Sequence, residues 1–487
     1  MGRAGLLIIL LLLFAPSAKA QLNYSFRQVD SIMYANTITE NWDEVIQLGK
    51  EALQNDIDYY YLRARMGIAY YNKKNYRAAA VQMEKARNFN PGNALTNNLL
   101  YRAYSYSSLN PEASFFSRNL TDKQREDAGI EKGRVLTFIH FEAGPEFSDN
   151  FDTHEFKQLP RGQAQRNQDL YGNSFYSQLG MKLQVHSRVS MYVGFSNLLI
   201  SKKAELQYAW NMPDSVVQHE WGFSKIFPSR PRIKTSSYDY TLSQNGVYLN
   251  ANILLGSRWS FTPAIHYVHV STKSINIDNN SRLIRDTAYY IPAIDSVAYL
   301  YYDQVSFDID PISTTLNNFV VSLELNKQVS VFDWGIFASW SNLNGQTQYQ
   351  YGFSATYYPF GNLNFYGNTT IKGLSQEQKT RPILSQLLGL KVTRFLWLEG
   401  FGIFGNLRGT NESNAFIVYN INDNINLKTG VSLTFVISPS VQLSVRYQYL
   451  QKQGYRTVSG PEIPGGTRIE ELDYTNQSII GGLKWSL

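Results

Sequence analysis

The pattern of hydrophobic and polar positions changes once along the chain. Residues 21–130 carry apolar side chains at the three- and four-residue spacing of amphipathic helices, whereas residues 134–487 alternate apolar and polar side chains. In residues 441–449, for example, Val445 and Tyr447 lie on one face and Arg446 on the other. The sequence therefore predicts a helical region followed by a long antiparallel β region.

The β region divides into about fourteen strand-like segments, with twelve or sixteen left open. These segments lie near 134–146, 173–185, 188–203, 240–254, 257–273, 316–326, 329–342, 346–358, 361–374, 381–391, 394–407, 426–437, 440–452 and 474–487. Every second connection is minimal, while most of the others, such as 204–239 and 274–315, are long. Short turns at one end and long loops at the other are typical of transmembrane β-barrels, and an even strand count places both barrel ends on the short-turn side. A soluble β-sandwich is the alternative.

One stretch of the helical region has the spacing of a known repeat. From Tyr60 the chain reads YYLRARMGIAYYNKKNYRAAAVQMEKARNFNPGN. The positions that carry the pattern are Met66, Gly67, Tyr70, Ala79, Met83, Ala86 and Pro91. They resemble a tetratricopeptide repeat, in which small residues let two helices approach and a proline ends the second. Ala52 and Tyr104 lie one 34-residue period from Ala86 and Tyr70, which predicts partial neighbouring repeats. An ordinary antiparallel helical bundle is the alternative.

The first 20 residues have the pattern of a signal peptide. Arg3 precedes an apolar run at 6–14, and residues 18–20 form a small-x-small cleavage site. After this leader, no stretch approaches the roughly 18 consecutive apolar residues of a spanning helix. We therefore expect an exported chain without helical spans.

The amino-acid composition excludes several kinds of catalytic and metal-binding site. The 487 residues include no cysteine, which excludes disulfides, thiolate metal sites and thiol catalysis. The formal net charge of +6 is mild and does not favour nucleic acid as a partner. His266 and His269 are three residues apart on a strand and point to opposite faces, so they cannot share a metal ion. His140 and Glu142 share a face, and ordinary polar lumen residues are their expected role.

The chain as a whole resembles Gram-negative outer-membrane β-barrel proteins with an N-terminal tetratricopeptide-repeat-like periplasmic domain. The resemblance implies a signal peptide at 1–20, a periplasmic helical domain at 21–130 and an outer-membrane β-barrel at 131–487. It implies a non-enzymatic protein that contacts outer-membrane lipid and uses no cofactor or metal. Its expected function is an accessory or scaffold subunit of an envelope assembly or secretion complex, with periplasmic or outer-membrane proteins as partners. The alternative is a channel or transporter for small solutes with a periplasmic helical gate.

Two sets of residues are predicted to carry these functions. The helical docking surface is expected at Tyr59, Arg63, Tyr71, Asn97 and Tyr101. The lumen-facing polar residues are expected to be Glu142, Lys182, Glu324, Asp333, Lys372, Arg446 and Lys484. Charges of both signs in a confined lumen favour internal ion pairs that tend to fill it.

Overall fold

A computed structural model describes residues 24–131, 133–156, 158–159, 164–211, 216–219, 222–225, 231–291 and 296–487. The predicted signal peptide, residues 1–20, lies outside the described residues. The chain divides into two compact units. One comprises Met1–Gly133 with Tyr358–Phe365, and the other comprises Arg134–Tyr357 with Tyr366–Leu487.

The first unit is helical. Its described helices are α1 (Phe26–Ile38), α2 (Trp42–Gln54), α3 (Tyr60–Asn72), α4 (Tyr76–Phe89), α5 (Ala94–Tyr106), α6 (Asn110–Asn119) and α7 (Asp122–Ala128). Helices α1, α3 and α5 begin 34 residues apart, and so do α2, α4 and α6. The unit therefore contains three successive helix pairs of equal period. Within the described part of the chain, no helix is long and apolar enough to cross a membrane.

Small residues allow the helices of this unit to pack closely. A Cβ at Gly67 of α3 would lie 2.9 Å from Sδ of Met83 on α4, so the two helices meet where a side chain is missing. Ala79 is fully buried at the same interface. Helix α4 ends at Phe89, two residues before Pro91, which cannot donate the next backbone hydrogen bond. Leu62 and Met66 continue the apolar core toward α1 and α2.

Residues 358–365 belong to the helical unit. The backbone N–H of Arg77 donates to the carbonyl of Gly361 at 3.1 Å. The Asn362 amide donates to the carbonyl of Lys74 at 2.8 Å. The Arg77 guanidinium lies 3.8 Å from the centroid of the Tyr358 ring. This segment is therefore held against the turn between α3 and α4.

The second unit is a closed antiparallel barrel of fourteen strands. They are β1 (Leu136–Ser148), β2 (Gln165–His186), β3 (Val189–Asn211), β4 (Pro231–Gly256), β5 (Trp259–Ile291), β6 (Ser296–Val329), β7 (Phe332–Ser341), β8 (Gln348–Tyr357), β9 (Phe365–Gln376), β10 (Lys379–Lys391), β11 (Leu396–Phe404), β12 (Asn424–Val436), β13 (Val441–Ser459) and β14 (Thr467–Ser486). Consecutive strands are neighbours, and β1 pairs with β14 to close the ring. The predicted count of fourteen is confirmed, and the sandwich alternative is wrong.

Both ends of the barrel sequence lie at the same rim. Phe138 of β1 pairs with Ser486 of β14. The turns at this rim are short, for example residues 187–188 between β2 and β3. This rim is called the short-turn end below, and the opposite rim the long-strand end.

Two expected loops, 204–239 and 274–315, are largely strand. Strands β3 and β4 pair as far as Asn211 and Pro231, and β5 and β6 pair as far as Ile291 and Ser296. Polar residues occupy both faces in segments such as 235–239, so the alternation that marks a strand fades. The backbone ladder continues nonetheless, because antiparallel pairing does not require an apolar face. The strand bounds predicted from periodicity were therefore too short at this end.

The outer surface of the barrel is apolar. Each of the fourteen strands presents an exposed large apolar side chain. Examples in chain order are Phe141, Leu179, Phe195, Val247, Ile265, Leu323, Ile336, Phe353, Ile371, Leu388, Phe404, Val431, Val445 and Ile479. A closed ring with an apolar exterior leaves no unpaired strand edge to face lipid. The unit thus has the fold of an outer-membrane β-barrel.

Candidate functional site: a loop inside the barrel

The connection between β11 and β12 folds into the barrel interior. We call residues 405–423 the inner loop. Leu407, Thr410 and Ala415 are fully buried. Residues Asn411–Glu412 pair with Ile417–Val418 as a small antiparallel ladder, which satisfies part of the loop backbone. The connection between the predicted strands 394–407 and 426–437 therefore lies largely inside the lumen.

Side chains of several strands hold the tip of the inner loop. The Asn411 amide donates to Oγ of Ser339 at 2.9 Å. The carbonyl of Asn411 accepts from Nε2 of Gln350 at 3.0 Å and from Nζ of Lys372 at 2.8 Å. These contacts attach the loop to β7, β8 and β9. They explain why Lys372, which was predicted to face the lumen, is buried.

The same loop is attached to the wall formed by β4 and β5. The hydroxyl of Tyr248 donates to the carbonyl of Asn414 at 3.0 Å. The Asn414 amide donates to the carbonyl of Thr262 at 3.0 Å. Nδ1 of His266 lies 2.8 Å from the carbonyl of Ala415. The loop consequently spans the lumen from one set of strands to another.

A buried ion pair connects the inner loop to β12. Nζ of Lys428 lies 3.1 Å from a carboxylate oxygen of Glu412. The hydroxyl of Tyr419 donates to the other Glu412 oxygen at 2.8 Å and accepts from Lys428 at 2.7 Å. Both charged side chains are largely buried, so each depends on the other for compensation.

Aromatic packing adds an apolar contact. The ring of Phe416 lies 5.6 Å from Tyr192 and 5.0 Å from Tyr248, both with near-perpendicular ring planes. Such edge-to-face pairs are each worth about 0.5–1.5 kcal/mol beyond area burial. Phe416 is thus one apolar anchor of the loop, and buried Leu407 and Ala415 are others.

Two cavities lie on either side of the inner loop along the barrel. The larger, of about 820 Å³, is lined by residues such as Glu142, Ser196 and Arg446. The smaller, of about 450 Å³, is lined by residues nearer the long-strand end, such as Asp169 and Lys202. Asn420 of the inner loop borders both cavities. The loop therefore lies between two compartments of one lumen.

The predicted lumen residues fall on the inward phase of their strands. Glu142, Glu324, Lys372 and Arg446 line the larger cavity, and Arg446 donates to Glu142 at 2.7 Å. Lys182 and Lys484 flank β1, where they are paired with Phe138 and His140. Nζ of Lys484 lies 4.6 Å from the Phe138 ring centroid. Asp333 is half-buried on β7, opposite Gln328 and Thr356.

The histidines are arranged as the strand period requires. His266 is buried at the inner loop, whereas His269 contacts Asn317 at 2.9 Å on the other face of β5. His140 lies 3.4 Å from Glu142. Among the residues that the structure describes, no group of three or more His, Asp or Glu side chains is placed to hold a metal ion.

Four of the predicted docking residues are half-buried on the helical unit. Arg63 pairs with Asp58 at 2.7 Å and also donates to Gln82 at 2.9 Å. Tyr71 packs against Tyr76 and Tyr106, while Tyr101 lies against the core of the unit. The hydrogen bond from Arg63 holds the pKa of Asp58 below its usual value.

Tyr59 belongs to a small polar cluster. Its hydroxyl donates to Asp30 at 2.9 Å, and Arg65 donates to the same oxygen at 2.6 Å. Burial, and then the bond to Asp30, raise the pKa of the Tyr59 hydroxyl. Burial opposes ionisation of Asp30, but the hydrogen bonds from Arg65 and Tyr59 outweigh it and lower the pKa of Asp30.

Asn97 differs from the other four, because it is fully buried on α5. Its amide nitrogen donates to the carbonyl of Pro91 at 3.1 Å. It therefore fixes the chain between α4 and α5, and its side chain does not reach the surface.

The inner loop is the feature that sequence reasoning missed. The available signal is its asparagine content, with Asn406, Asn411, Asn414, Asn420 and Asn422 within 17 residues. Amide side chains offer both donors and acceptors, which suits a loop whose backbone must be satisfied away from water. Hydrophobic periodicity does not detect such a segment.

No protein-family model and no curated protein matches the chain. Among solved structures, it is similar to the Pseudomonas putida toluene transporter TodX (TM-score 0.38, 8% identity, covering 72% of this chain and 90% of TodX). It is also similar to the translocator domain of the autotransporter NalP from Neisseria meningitidis, with a TM-score of 0.28 and 9% identity. That match covers 79% of this chain and 100% of the translocator domain. A third similar structure is a FadL homologue from Pseudomonas aeruginosa, with a TM-score of 0.29 and 12% identity. The match covers 78% of this chain and 93% of the homologue. These scores are low, so the assignment rests on the chain's own geometry, that of a closed fourteen-stranded outer-membrane-type barrel preceded by helices.

Proposed function

We propose that the chain is an outer-membrane channel for small polar solutes whose lumen is closed by the inner loop. The observation that carries this proposal is the position of residues 405–423 between two cavities of the same barrel. Displacing the loop would join these cavities into one path. Fourteen strands enclose an interior wide enough for such a path once the loop has moved.

The contacts of the inner loop support its role as a gate. Most are hydrogen bonds from Asn411, Asn414 and Asn420, which water can replace when the loop moves. A typical hydrogen bond contributes only about 0.5–1.5 kcal/mol net, because solvent competes for the same groups. The buried pair of Glu412 and Lys428 adds an electrostatic contact between the loop and β12.

The outer membrane is the proposed location, and the periplasm is the proposed side for the helices. The apolar ring of exposed side chains supports insertion in lipid. In barrels of this type, short turns face the periplasm. Because β1 begins at the short-turn end, the chain joins the barrel at the rim proposed to be periplasmic.

Conductance of the mature chain in planar bilayers tests the channel. We expect rare openings for the native sequence and large stepwise currents when residues 408–422 are replaced by a short Gly-Ser linker. A linker of the same kind in place of the β13–β14 turn, residues 460–466, is the matched control and should leave conductance low.

A tether provides the converse test. The chain has no cysteine, so Ser339→Cys with Asn411→Cys allows a specific thiol cross-link between β7 and the inner loop. We expect the cross-linked protein to lose all openings and to regain them when the link is cleaved. A loop-deleted barrel that carries no current would contradict the channel.

A protein-docking role for the helical unit is the second candidate. The equal 34-residue spacing of its helix pairs supports a tetratricopeptide-type array, and such arrays present concave surfaces to peptides and proteins. In this role the chain is a scaffold subunit whose partners are periplasmic or outer-membrane proteins, with Tyr59, Arg63, Tyr71 and Tyr101 on the contact surface.

Deletion of residues 21–130 separates the two candidates. The channel predicts that currents persist without the helices. The scaffold predicts that proteins that co-purify from native membranes are lost with them, and that Arg63→Ala weakens the same association. Native extraction that yields the protein alone would remove support from the scaffold.

A further inference from the structure

The glutamate, lysine and arginine side chains that line the larger cavity fall into ion pairs, with two exceptions. The pairs are Glu142 with Arg446, Glu146 with Lys452, and Glu412 with Lys428. Glu324 of β6 and Lys372 of β9 also line the cavity, and neither forms an ion pair with any of the residues that the structure describes. A charge held away from water without a counter-charge is costly, so these two residues require an explanation.

Glu324 and Lys372 lie at one level of the barrel. Glu324 is the register partner of Phe337 on β7. Phe337 pairs in turn with Gly352 on β8, and Gly352 pairs with Lys372. We call these four residues the cross-strand row. Neighbouring strands are about 4.8 Å apart, so about 14 Å of wall separates the backbones of Glu324 and Lys372. This separation explains why the two charges do not compensate each other.

The aromatic ring of Phe337 lies between the two charges. Its Cζ is 2.5 Å from the position that a Cβ would have at Gly352, so the ring lies across the glycine, where a side chain is missing. The same Cβ position is 2.9 Å from Cβ of Lys372. On β8, Gln350 and Ser354 flank the row with uncharged side chains that also line the cavity. The row therefore runs from a carboxylate over an aromatic ring to an ammonium group.

Both charged groups have capacity for a further partner. The Lys372 ammonium has three N–H donors, and one of them donates to the carbonyl of Asn411 at 2.8 Å. The Glu324 carboxylate has two acceptor oxygens, and its polar neighbour is the amide of Asn326, two residues along β6. Hydrogen bonds from an ammonium group to one end of the row and to a carboxylate at the other would compensate both charges.

A zwitterionic dipeptide has the complementary arrangement. It is about 7 Å long when extended, with an ammonium group at one end and a carboxylate at the other. A solute with a single charge is attracted by one end of the row and repelled by the other. We propose that the larger cavity binds a zwitterionic dipeptide, with its ammonium group at Glu324, its carboxylate at Lys372 and its middle on the ring of Phe337. The inference rests on the proposed channel, because it names the class of solute, but the binding itself takes place in the closed barrel.

Saturation-transfer NMR on the full mature chain in deuterated detergent tests this site. The probe is dialanine. It is compared with N-acetyl-dialanine, which lacks the ammonium group, with dialanine amide, which lacks the carboxylate, and with alanine, which is too short to reach both charges. We expect transfer to the methyl protons of dialanine. Titrations should give dissociation constants about ten-fold weaker for each of the other three, the effect of one hydrogen bond to a charged group.

Glu324→Gln identifies the end of the ligand that this residue contacts. The substitution keeps the size of the side chain and should weaken the binding of dialanine about ten-fold. It should also abolish the preference for dialanine over N-acetyl-dialanine, while the preference over dialanine amide remains. The matched control is Asp333→Asn, the same carboxylate-to-amide change on β7 at a residue outside the cavity lining, which should alter neither preference.

Lys372→Gln is the reciprocal variant. It should abolish the preference for dialanine over dialanine amide, while the preference over N-acetyl-dialanine remains. Lys372 also contacts the inner loop through Asn411. Glu324→Gln leaves that contact in place, so it decides the outcome if Lys372→Gln does not fold.

Three results would overturn the inference. The first is the absence of transfer to dialanine in the native chain. The second is equal binding of dialanine and either singly charged derivative, and the third is unchanged binding in Glu324→Gln. None of these measurements uses conductance. A loop-replaced barrel without current would overturn the channel and leave this site standing, whereas a conducting barrel that does not bind dialanine would do the reverse.

Discussion

The helical unit and the barrel arrange their side chains in opposite ways. In the helical unit, apolar residues such as Leu62, Met66 and Met83 are buried at the centre. In the barrel, residues such as Val445 face outward, while Lys372 and Lys428 are buried inside. The helical unit is thus stabilised mainly by apolar burial, whereas the barrel interior combines buried apolar clusters with hydrogen bonds and buried ion pairs. Substitutions should have different signatures in the two regions.

The largest effect is expected inside the barrel, at the pair of Glu412 and Lys428. Glu412→Ala leaves Lys428 buried without its carboxylate, and breaking a buried pair from one side costs about 3–5 kcal/mol. We expect the inner loop to leave the lumen, which hydrogen exchange of residues 405–423 measures directly.

The double variant Glu412→Leu with Lys428→Met sharpens this prediction. It removes both charges and keeps similar volumes, so its cost should be much smaller than that of Glu412→Ala. Equal exchange in the single and double variants would show that the ion pair does not hold the loop.

The same contrast explains what the sequence predicted and what it did not. Alternation in residues 441–449 predicted β13 because lipid outside and polar groups inside impose a period of two. Alternation also gave the correct strand count. It failed at 235–239, where β4 continues beyond the apolar band with polar residues on both faces.

The inner loop and the cavities were not predictable from periodicity. The contacts of Asn411 with Ser339, Gln350 and Lys372 join residues 39–72 positions apart in the sequence, and no local pattern encodes such contacts.

Among the predicted docking residues, Asn97 is buried although the sequence predicts it on the surface. Its polar side chain on a helix predicts a surface position, whereas the amide donates to the carbonyl of Pro91 inside the packing.

A smaller effect is expected on the outer face of the barrel. Val445 is 46% exposed on the apolar exterior, so Val445→Arg places a charge against lipid. Arg on the lipid face near the midplane costs about 2–4 kcal/mol. Gln448→Arg is the matched control on the same strand, since Gln448 lines the larger cavity.

The free energy of folding into lipid vesicles, measured by denaturant titration, compares the two variants. We expect a marked loss for Val445→Arg and little change for Gln448→Arg. The reverse order would show that β13 presents its faces the other way round.

The smallest effect is expected on the helical unit, where charges are peripheral and the apolar core dominates. Asp30 accepts from Tyr59 and Arg65, and these bonds hold the pKa of Asp30 below its ordinary value of 3.8. A carboxyl whose pKa is lower in the folded state contributes stability above 3.8, and this contribution is lost as the pH falls through the folded value. Because the side chain of Asp30 is 39% exposed, solvent screening limits the contribution to less than about 1 kcal/mol.

Helical circular dichroism of the full chain during thermal unfolding, at pH 6 and at progressively lower pH, measures this contribution. Asp30→Asn should slightly lower the midpoint of thermal unfolding at pH 6 and should flatten the decline of this midpoint below pH 4. The control is Glu44→Gln, at an exposed carboxylate on α2, which should leave the dependence of the midpoint on pH unchanged. The difference between these variants should shrink in high salt, since the interaction is near the surface. The midpoint shift of Asp30→Asn could instead correspond to a loss of stability as large as that expected for Glu412→Ala. The helical unit would then depend on its charges as the barrel interior does, and the contrast between the two regions would fail.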